Sequence, residues 1–467
     1  MVFSSNAFLF FFLPAVVLLY WLVHKNRAAA NTVLTVMSLL FYAWGEPKFV
    51  LVMLLSIVLN WLIALAIEKY SGQAKVKKAL MIGGVCINVL ILGVFKYASF
   101  AIRNLNALFK INIVDPKIAL PIGISFFTFQ AISYVADVYR GKAEGSRKLI
   151  PVALYISFFP QLIAGPIVKF QDICHQIENR QITVDGVSEG FRRFIFGLSK
   201  KVLIANVLGA CAHTVFSYNV SSVDFRTAWI GALAYAFQIY YDFSGYSDMA
   251  IGLGKMFGFT FLENFRYPYL SASVGEFWRR WHISLGSWFR EYVYIPLGGN
   301  RKGTARTCLH VAIVFLLTGL WHGANVTFIL WGAYHGFFSV IERLAGGRRL
   351  RKIRPLCVIG CFLIVTCGWV LFNSPDTAYA VQYLGRMLLP WRYAGQLIPF
   401  QSYLNNKMIA AFAFAVLGAG PLQSLPEAIQ NKWKYSVPEA LFCVLTLILS
   451  IAAIAGDTYN PFIYFQF

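Results

Sequence analysis

Residues 48–67 read KFVLVMLLSIVLNWLIALAI, and Lys48 is the only charged side chain in this run. A helix of about 20 apolar residues crosses the roughly 30 Å hydrocarbon core of a bilayer. Similar apolar runs recur along the whole chain, without the ten-residue alternation that is typical of membrane β-barrels. The sequence therefore predicts an all-α, polytopic membrane protein.

The composition supports a membrane environment and argues against nucleic-acid binding. Of 467 residues, 58% are hydrophobic and 13% are charged, whereas soluble proteins are about 25% charged. The net charge of +21 comes from 41 lysines and arginines. Because most of these lie in short loops between apolar runs, we interpret the charge as a signal of orientation. Membrane lipid is the predicted surrounding, and no nucleic-acid partner is expected.

The predicted spans are 7–23, 30–44, 48–67, 79–99, 119–138, 149–167, 227–250, 356–373, 407–424 and 437–456, with a shorter pair at 308–320 and 324–341. Residues 7–23 lack the basic segment and cleavage site of a signal peptide, so we expect a retained first helix. Lysine and arginine are concentrated in alternate loops, among them 69–78 and 139–148. This alternation predicts that both termini face away from the cytosol.

A single integral-membrane domain, 1–467, is predicted, with four parts. N-terminal helices fill 1–167, and C-terminal helices fill 343–467. Residues 168–226 mix basic and apolar side chains, which favours an interfacial or re-entrant segment over a clean span. The remaining part, 227–342, is the predicted catalytic core, although its segment 254–306 holds too many charges to cross a membrane.

The sequence gives no indication of a metal or a bound cofactor. The eight cysteines lie mostly within apolar runs, where small buried hydrophobic side chains are expected. The spacings of metal ligands and the glycine-rich phosphate-binding motifs are missing from the chain. We therefore expect no metal site and no cofactor-binding site.

An amphipathic helix is predicted at 273–292. Ser273 and Glu276 form a capping box, and an aromatic stripe follows at spacings of three and four residues: Trp278, Trp281, Leu285, Trp288 and Tyr292. We expect this helix to lie on the cytosolic membrane surface with its tryptophans at headgroup level. An interfacial anchor without chemistry explains the stripe equally well.

The segment Trp321-His322-Gly323-Ala324-Asn325 interrupts two apolar runs of only 13 and 18 residues. Such short spans predict that this turn lies deep in the membrane, inside protein or against a water-filled cavity. A neutral imidazole at His322 can accept a proton from an alcohol there. A structural histidine bonded to a neighbouring helix is the alternative. His335, 13 residues later, is expected to support the site or the fold.

Two acidic residues near the end of the span 227–250 need partners. Asp242 and Asp248 lie in the run Tyr240 to Asp248, and a buried carboxylate requires a compensating charge. Arg279 or Arg280 could supply it, and an architectural role explains such a pairing as well as a catalytic one.

Three stretches together resemble the membrane-bound O-acyltransferase (MBOAT) family: Asp242 to Ala250, Glu276 to Asn300, and Trp321-His322-Gly323. The resemblance extends from Met1 to Phe467 and is greatest to the bacterial branch that serves alginate and teichoic acid. It implies a ring of about 11–13 transmembrane or re-entrant helices, thin at its centre, with a funnel that faces outward.

The resemblance also assigns roles to residues. His322 is implied as the catalytic histidine and His282 as a second catalytic histidine near the cytosolic mouth. The remaining candidates for the path of the substrate or donor are Arg279, Arg280, Trp321, Asn325, Asp242 and His335. The implied donor is a cytosolic thioester, for which we expect acetyl-CoA as a co-substrate.

These expectations define one function and leave alternatives open. The chain is expected to move acetyl groups across a bacterial inner membrane for O-acetylation of an exopolysaccharide. The implied partners are a periplasmic O-acetyltransferase and a polysaccharide synthase complex. Because the 390–436 region is shorter than expected for the alginate protein, the polymer stays open between alginate, cellulose and others. D-alanyl transfer to teichoic acid is an alternative, and a transporter or channel is another.

Overall fold

The computed structural model describes residues 2–345, 353–392, 398–420, 422, 436–456 and 462–463. The regular structure within these ranges is entirely helical. The all-α class predicted from the apolar runs is confirmed.

The first eleven α-helices lie between residues 13 and 256. They are α1 Leu13–Val23, α2 Arg27–Gly45, α3 Val50–Lys69, α4 Ala74–Phe109, α5 Ile124–Arg140, α6 Leu149–Ser157, α7 Phe159–Leu162, α8 Phe170–Asn179, α9 Val184–Ser199, α10 Asn206–Ser217 and α11 Phe225–Met256. A π-helical turn, Phe8–Phe12, precedes α1, and a second one, Lys200–Ala205, joins α9 to α10 without a break.

Eight more α-helices follow within the described ranges. They are α12 Val274–Arg280, α13 Ile283–Phe289, α14 Thr304–His322, α15 Val326–Leu344, α16 Arg354–Asn373, α17 Thr377–Leu388, α18 Asn406–Ala419 and α19 Val437–Gly456. The chain divides into two compact units, Met1–Phe194 with Ser247–Leu262 and Ile195–Tyr246 with Glu263–Phe467. The sequence predicts a single domain with four parts, and this stays a prediction.

Seven helical segments of the described chain are long and apolar enough to cross a membrane. They are Arg27–Gly45, Val50–Lys69, Ala74–Phe109, Val184–Ser217, Thr304–His322, Arg354–Asn373 and Val437–Gly456. Large apolar side chains such as Leu90 and Leu441 are two-thirds exposed on these helices, which suits a lipid environment rather than water. The chain is a multi-pass membrane protein.

The helix Val184–Ser217 differs from the interfacial or re-entrant segment predicted within 168–226. It runs for 34 residues and is one of the apolar segments long enough to cross a membrane. Two of the basic side chains in this segment, which argued against a clean membrane span, have acidic partners. Arg193 pairs with Asp248 at 2.9 Å in one unit, and Lys201 pairs with Asp242 at 2.6 Å in the other. Paired charges cost less to bury than single charges, so these basic side chains are compatible with a helix that crosses a membrane.

The amphipathic helix predicted at 273–292 is correct at its start and wrong in its continuity. Ser273 caps α12, and its hydroxyl accepts the main-chain N–H of Glu276. The helix then stops, because His282 adopts a left-handed backbone conformation with φ of 45° before α13 begins. Trp281 and Trp288 are each only 4% exposed. These two tryptophans of the stripe therefore pack against protein and do not face lipid headgroups.

The pair α14 and α15 forms a closely packed hairpin. Each helix has 19 residues, so the short span of 13 residues predicted for 308–320 is wrong, and helix length no longer argues for a deep turn. The two helices approach at Gly319 and Gly332, where an added Cβ would overlap the carbonyl oxygens of Phe328 and Phe315. Small residues allow such close backbone packing between membrane helices.

The predicted ring, funnel and outward-facing termini stay predictions. Several lysines and arginines that bear on the orientation lie outside the described residues, namely those within 346–352 and at 432 and 434. Most of the tail after residue 456 also lies outside them.

The close contact in the hairpin predicts a selective effect of one methyl group. Gly332→Ala is expected to lower stability by about 1–3 kcal/mol, because the α15 backbone must move away from α14. Gly93→Ala in α4 is the control, since an added Cβ there meets no atom within 4 Å. Thermal unfolding of both purified variants in detergent measures the difference. Equal midpoints would show that the hairpin tolerates separation.

Candidate active site

Asn264 fixes the position of His282. The side-chain oxygen Oδ1 of Asn264 lies 3.1 Å from Nδ1 of His282, and it also accepts the main-chain N–H and the hydroxyl of Ser284 at 3.2 and 2.8 Å. The Asn264 carbonyl in turn accepts the main-chain N–H of Ile283 at 2.9 Å. Asn264 and His282 are both buried. Hydrogen bonds to a single buried residue, Asn264, therefore stabilise the break between α12 and α13.

These contacts define the protonation of the His282 ring. A main-chain N–H can only donate, so the Asn264 atom that faces Ser284 is the carbonyl oxygen and not the amide nitrogen. Nδ1 of His282 must therefore carry the hydrogen, which leaves Nε2 as the basic nitrogen. Burial lowers the pKa of His282 to about 3, so the ring is neutral near pH 7. Nε2 is buried and has no hydrogen-bond partner among the described residues.

His322 ends α14 and is buried among aromatic rings. The His322 ring meets Trp331 and Phe372 edge-on, with centroids 5.1 and 5.2 Å apart. Trp321 contacts both candidate histidines, at 4.9 Å from the His322 ring and 6.1 Å from the His282 ring. The structure thus brings the two predicted catalytic histidines into contact with the same indole.

His335 lies farther along the same series of rings. Its ring is fully buried, and its centroid is 5.1 Å from those of both Trp331 and Trp278. Neither ring nitrogen has a hydrogen-bond partner in the described part of the chain. Gly368 leaves room for the His335 ring, since a Cβ added at Gly368 would lie 2.7 Å from Nε2 of His335. Packed rings therefore connect Trp278, through His335 and Trp331, to His322.

A cavity of about 640 Å³ borders this series of rings at Trp278. Its charged lining residues are Glu276, Arg279, Glu342, Arg343 and Arg354. Arg279 and Arg343 are exposed and form no ion pair with a described residue. The indole Nε1 of Trp278 and the hydroxyl of Ser339 also have no hydrogen-bond partner in the described ranges. The cavity therefore offers several unused donors, which suits a ligand with anionic and polar groups.

Two glutamates stabilise the position of α12, which lines the cavity. The Glu342 carboxylate accepts the main-chain N–H groups of Val274 and Gly275 at the start of α12. Glu276 pairs with Arg280 at 2.8 Å and with Arg354 at 3.1 Å. Of the two arginines predicted for the donor path, Arg279 thus faces the cavity, whereas Arg280 is engaged in an ion pair that stabilises α12.

Two other predicted residues have structural contacts. Asn325 caps α15, where its side-chain oxygen accepts the N–H of Thr327 at 3.1 Å, and its amide donates to the Pro375 carbonyl at 2.9 Å. Asp242 pairs with Lys201, so the predicted pairing of the acidic residues with Arg279 or Arg280 is wrong. Helix α11 carries Asp242 toward α9 and α10 instead. No group of three metal-ligating side chains occurs within the described ranges.

Sequence reasoning missed Asn264 and Glu342. Glu342 accepts main-chain N–H groups of α12, and the partners of Asn264 lie 18 and 20 residues away, so neither residue leaves a local pattern in the sequence. The available signal at Asn264 was a polar residue in a charged loop, and such a residue is usually exposed.

Comparison with known proteins agrees with these motifs. Residues 146–354 match the family model described as MBOAT, membrane-bound O-acyltransferase family. This range includes both candidate catalytic histidines, His335 and the cavity. A probable alginate O-acetylase of Pseudomonas putida is 42% identical, and the alignment covers 100% of both chains. The chain belongs to the membrane-bound O-acyltransferase family.

More distant relatives extend the range of acceptors within this family. The peptidoglycan O-acetyltransferase of Helicobacter pylori is 35% identical over 83% of this chain and 80% of its own. The teichoic acid D-alanyltransferase of Bacillus subtilis is 27% identical over 46% of this chain and 56% of its own. The MBOAT assignment predicted from the sequence is confirmed, and the protein is an O-acyltransferase.

The contacts of Asn264 predict a graded loss of activity. Asn264→Ala removes the acceptor that orients His282, and we expect acyl transfer to fall about 10- to 100-fold, as for other groups that orient a reactive histidine. Ser284→Ala removes only one of the donors and is expected to have a much smaller effect. Transfer rates at matched membrane abundance test this. Similar losses in the two variants would argue against a role in orienting the ring.

Proposed function

We propose that the protein transfers acetyl groups from a cytosolic thioester, acetyl-CoA, across a bacterial inner membrane for O-acetylation of an exopolysaccharide. The observation that carries this proposal is the pair of buried histidines that both contact Trp321, in a chain similar along its full length to a probable alginate O-acetylase. Two imidazoles shielded from water suit transfer to an alcohol, because bulk water is a competing acceptor.

In the proposed reaction, His322 acts as general base. It accepts the proton of the acceptor hydroxyl while the hydroxyl oxygen attacks the carbonyl carbon of the thioester. The carbon–sulfur bond then breaks, and the thiolate leaves and takes up a proton. The products are an acetyl ester and a free thiol. The basic Nε2 of His282 accepts a hydrogen bond from the substrate, which positions it relative to His322.

The proposed donor site is the cavity next to α12. Arg279 and Arg343 supply positive charge for phosphate groups, and Trp278 and Ser339 supply further hydrogen-bond donors. Beyond the phosphates, the arm of acetyl-CoA that carries the acyl group is neutral and narrow. This arm therefore suits the aromatic interior beyond Trp278. Trp321 and His335 line this route in the proposal.

The acceptor side rests on similarity to named relatives. Full-length similarity to alginate O-acetylases favours alginate or a related exopolysaccharide, and we propose a periplasmic acyltransferase and a polysaccharide synthase complex as partners. The proposed orientation places both termini in the periplasm. D-alanyl transfer is less well supported, because the relative with that activity aligns with under half of this chain.

Substitution of the two histidines tests the chemistry. His322→Ala and His282→Ala are each expected to lower acetyl ester on the polymer by at least about 100-fold, since each removes a group that contacts the reacting atoms. His175→Ala is the control, because that side chain is exposed on α8. Acetyl and D-alanyl esters are measured on the isolated polymer at matched protein abundance. Unchanged acetylation in His322→Ala would refute the mechanism, and D-alanyl esters would identify the alternative acyl group.

Reversal of one cavity charge tests the donor site. Arg279→Glu is expected to raise the KM for acetyl-CoA about 10-fold, equivalent to about 1.4 kcal/mol, with little change in kcat. The increase is expected to shrink at high salt, which screens exposed charges. Arg301→Glu, also exposed but outside the cavity lining, is the matched control. An unchanged KM in Arg279→Glu would exclude this cavity as the site for the phosphates of acetyl-CoA.

A further inference from the structure

A buried ion pair joins two helices away from the cavity. Nζ of Lys201 lies 2.6 Å from Oδ1 of Asp242, and both side chains are 2% exposed. Removal of either partner would leave an uncompensated charge in an apolar interior, which is strongly unfavourable. A pair of this kind holds the two helices in one relative position, and neither residue has a role in the proposed chemistry.

A close backbone contact explains how the pair forms. Gly245 follows Asp242 by three residues, on the same face of α11. An added Cβ at Gly245 would lie 2.7 Å from the carbonyl oxygen of Gly197 and 3.2 Å from the main-chain nitrogen of Lys201. The two backbones therefore touch at the point where the π-helical turn Lys200–Ala205 presents Lys201 to α11.

Residues 462 and 463 complete the surroundings of the pair. The main-chain N–H of Ile463 donates to the second oxygen of Asp242, Oδ2, at 2.9 Å. The Phe462 ring stacks on Tyr246 with centroids 4.9 Å apart, and Nζ of Lys201 lies 5.7 Å from the centre of the same ring. Both residues are 2% exposed. We call these two residues the 462–463 clasp.

Helix α11 connects this pair to His282. Phe243, next to Asp242, meets the His282 ring edge-on with centroids 4.6 Å apart. Tyr240 lies 6.1 Å from Trp281, which immediately precedes His282. A small displacement of α11 would therefore move the rings that pack against His282.

We propose that the 462–463 clasp positions His282 by fixing Asp242, and with it α11, through the Ile463 N–H and the stacked Phe462 ring. The inference rests on the catalytic role of His282 in the proposed function. The clasp residues are positioning residues, because in this proposal they act on His282 through Asp242 and α11. They set the distance between His282 and the substrate, on which the rate depends steeply.

Removal of one hydrogen bond tests the clasp. Ile463→Pro removes the N–H that Asp242 accepts, and Ile463→Leu is the matched control with the N–H retained. We expect Ile463→Pro to lower kcat for acetyl transfer about 10- to 100-fold with an unchanged KM for acetyl-CoA, because the cavity does not include the clasp. Ile463→Leu is expected to stay within about twofold of the wild type. Phe462→Ala, which keeps the N–H but removes the stacked ring, is a second variant and should lower kcat by a smaller factor.

A second readout does not depend on acyl transfer. Diethyl pyrocarbonate modifies accessible histidines, and peptide mass spectrometry follows His282, with exposed His175 as an internal standard. We expect modification of His282 to be faster in Ile463→Pro than in the wild type and unchanged in Ile463→Leu. The inference is overturned if Ile463→Pro and Ile463→Leu match in kcat and in His282 modification, or if Ile463→Pro loses activity only in proportion to its loss of folded protein. A wild-type protein that transfers no acetyl group would instead refute the proposed function, and the modification rates would still decide for or against the clasp.

Discussion

The carbonyl oxygen of the Asn264 side chain is the contact on which the candidate site depends. It receives hydrogen bonds from His282 and from Ser284, so one buried atom sets both the ring orientation of His282 and the start of α13. Each donor left unpaired in such an interior costs about 1–3 kcal/mol. Rotation of the ring would therefore break its hydrogen bond to Asn264, and the basic nitrogen Nε2 keeps a fixed direction.

The surroundings of the histidines separate charge from apolar space. Guanidinium groups lie at the cavity, and beyond Trp278 the contacts of His335 and His322 are aromatic. A molecule with an anionic head and a neutral arm can satisfy both regions, whereas a molecule charged along its length cannot. The carboxylates of Glu276 and Glu342 keep α12, the helix that carries Arg279, in place. Helix α12 ends two residues before His282. A displacement of this helix would therefore move both the charged lining of the cavity and His282.

Most of the fold could be predicted from the sequence, because the length and polarity of apolar runs report membrane helices directly. The site was predictable as far as local patterns reached: His282 and His322 stood out as polar residues in or beside apolar sequence, and Ser273 caps α12 as expected. The break at His282 was missed, since a spacing of three and four residues continues through it, and its cause is Asn264, 18 residues away. The pairing of Lys201 with Asp242 was missed for a similar reason. Two charges distant in sequence become partners only when glycines let their helices touch. The length of α14 was underestimated, because Thr304 and Arg306 were assigned to the preceding loop.

The glycine at position 368 has a consequence for how this protein can change. Any larger residue there would be driven into the imidazole of His335, since even a methyl carbon would come within 2.7 Å of it. A substitution that fills this space therefore requires the His335 ring to shift, and with it the rings that pack against it from α15 and α16. In the proposed reaction, a change of acyl-chain preference through position 368 would have to accommodate both changes.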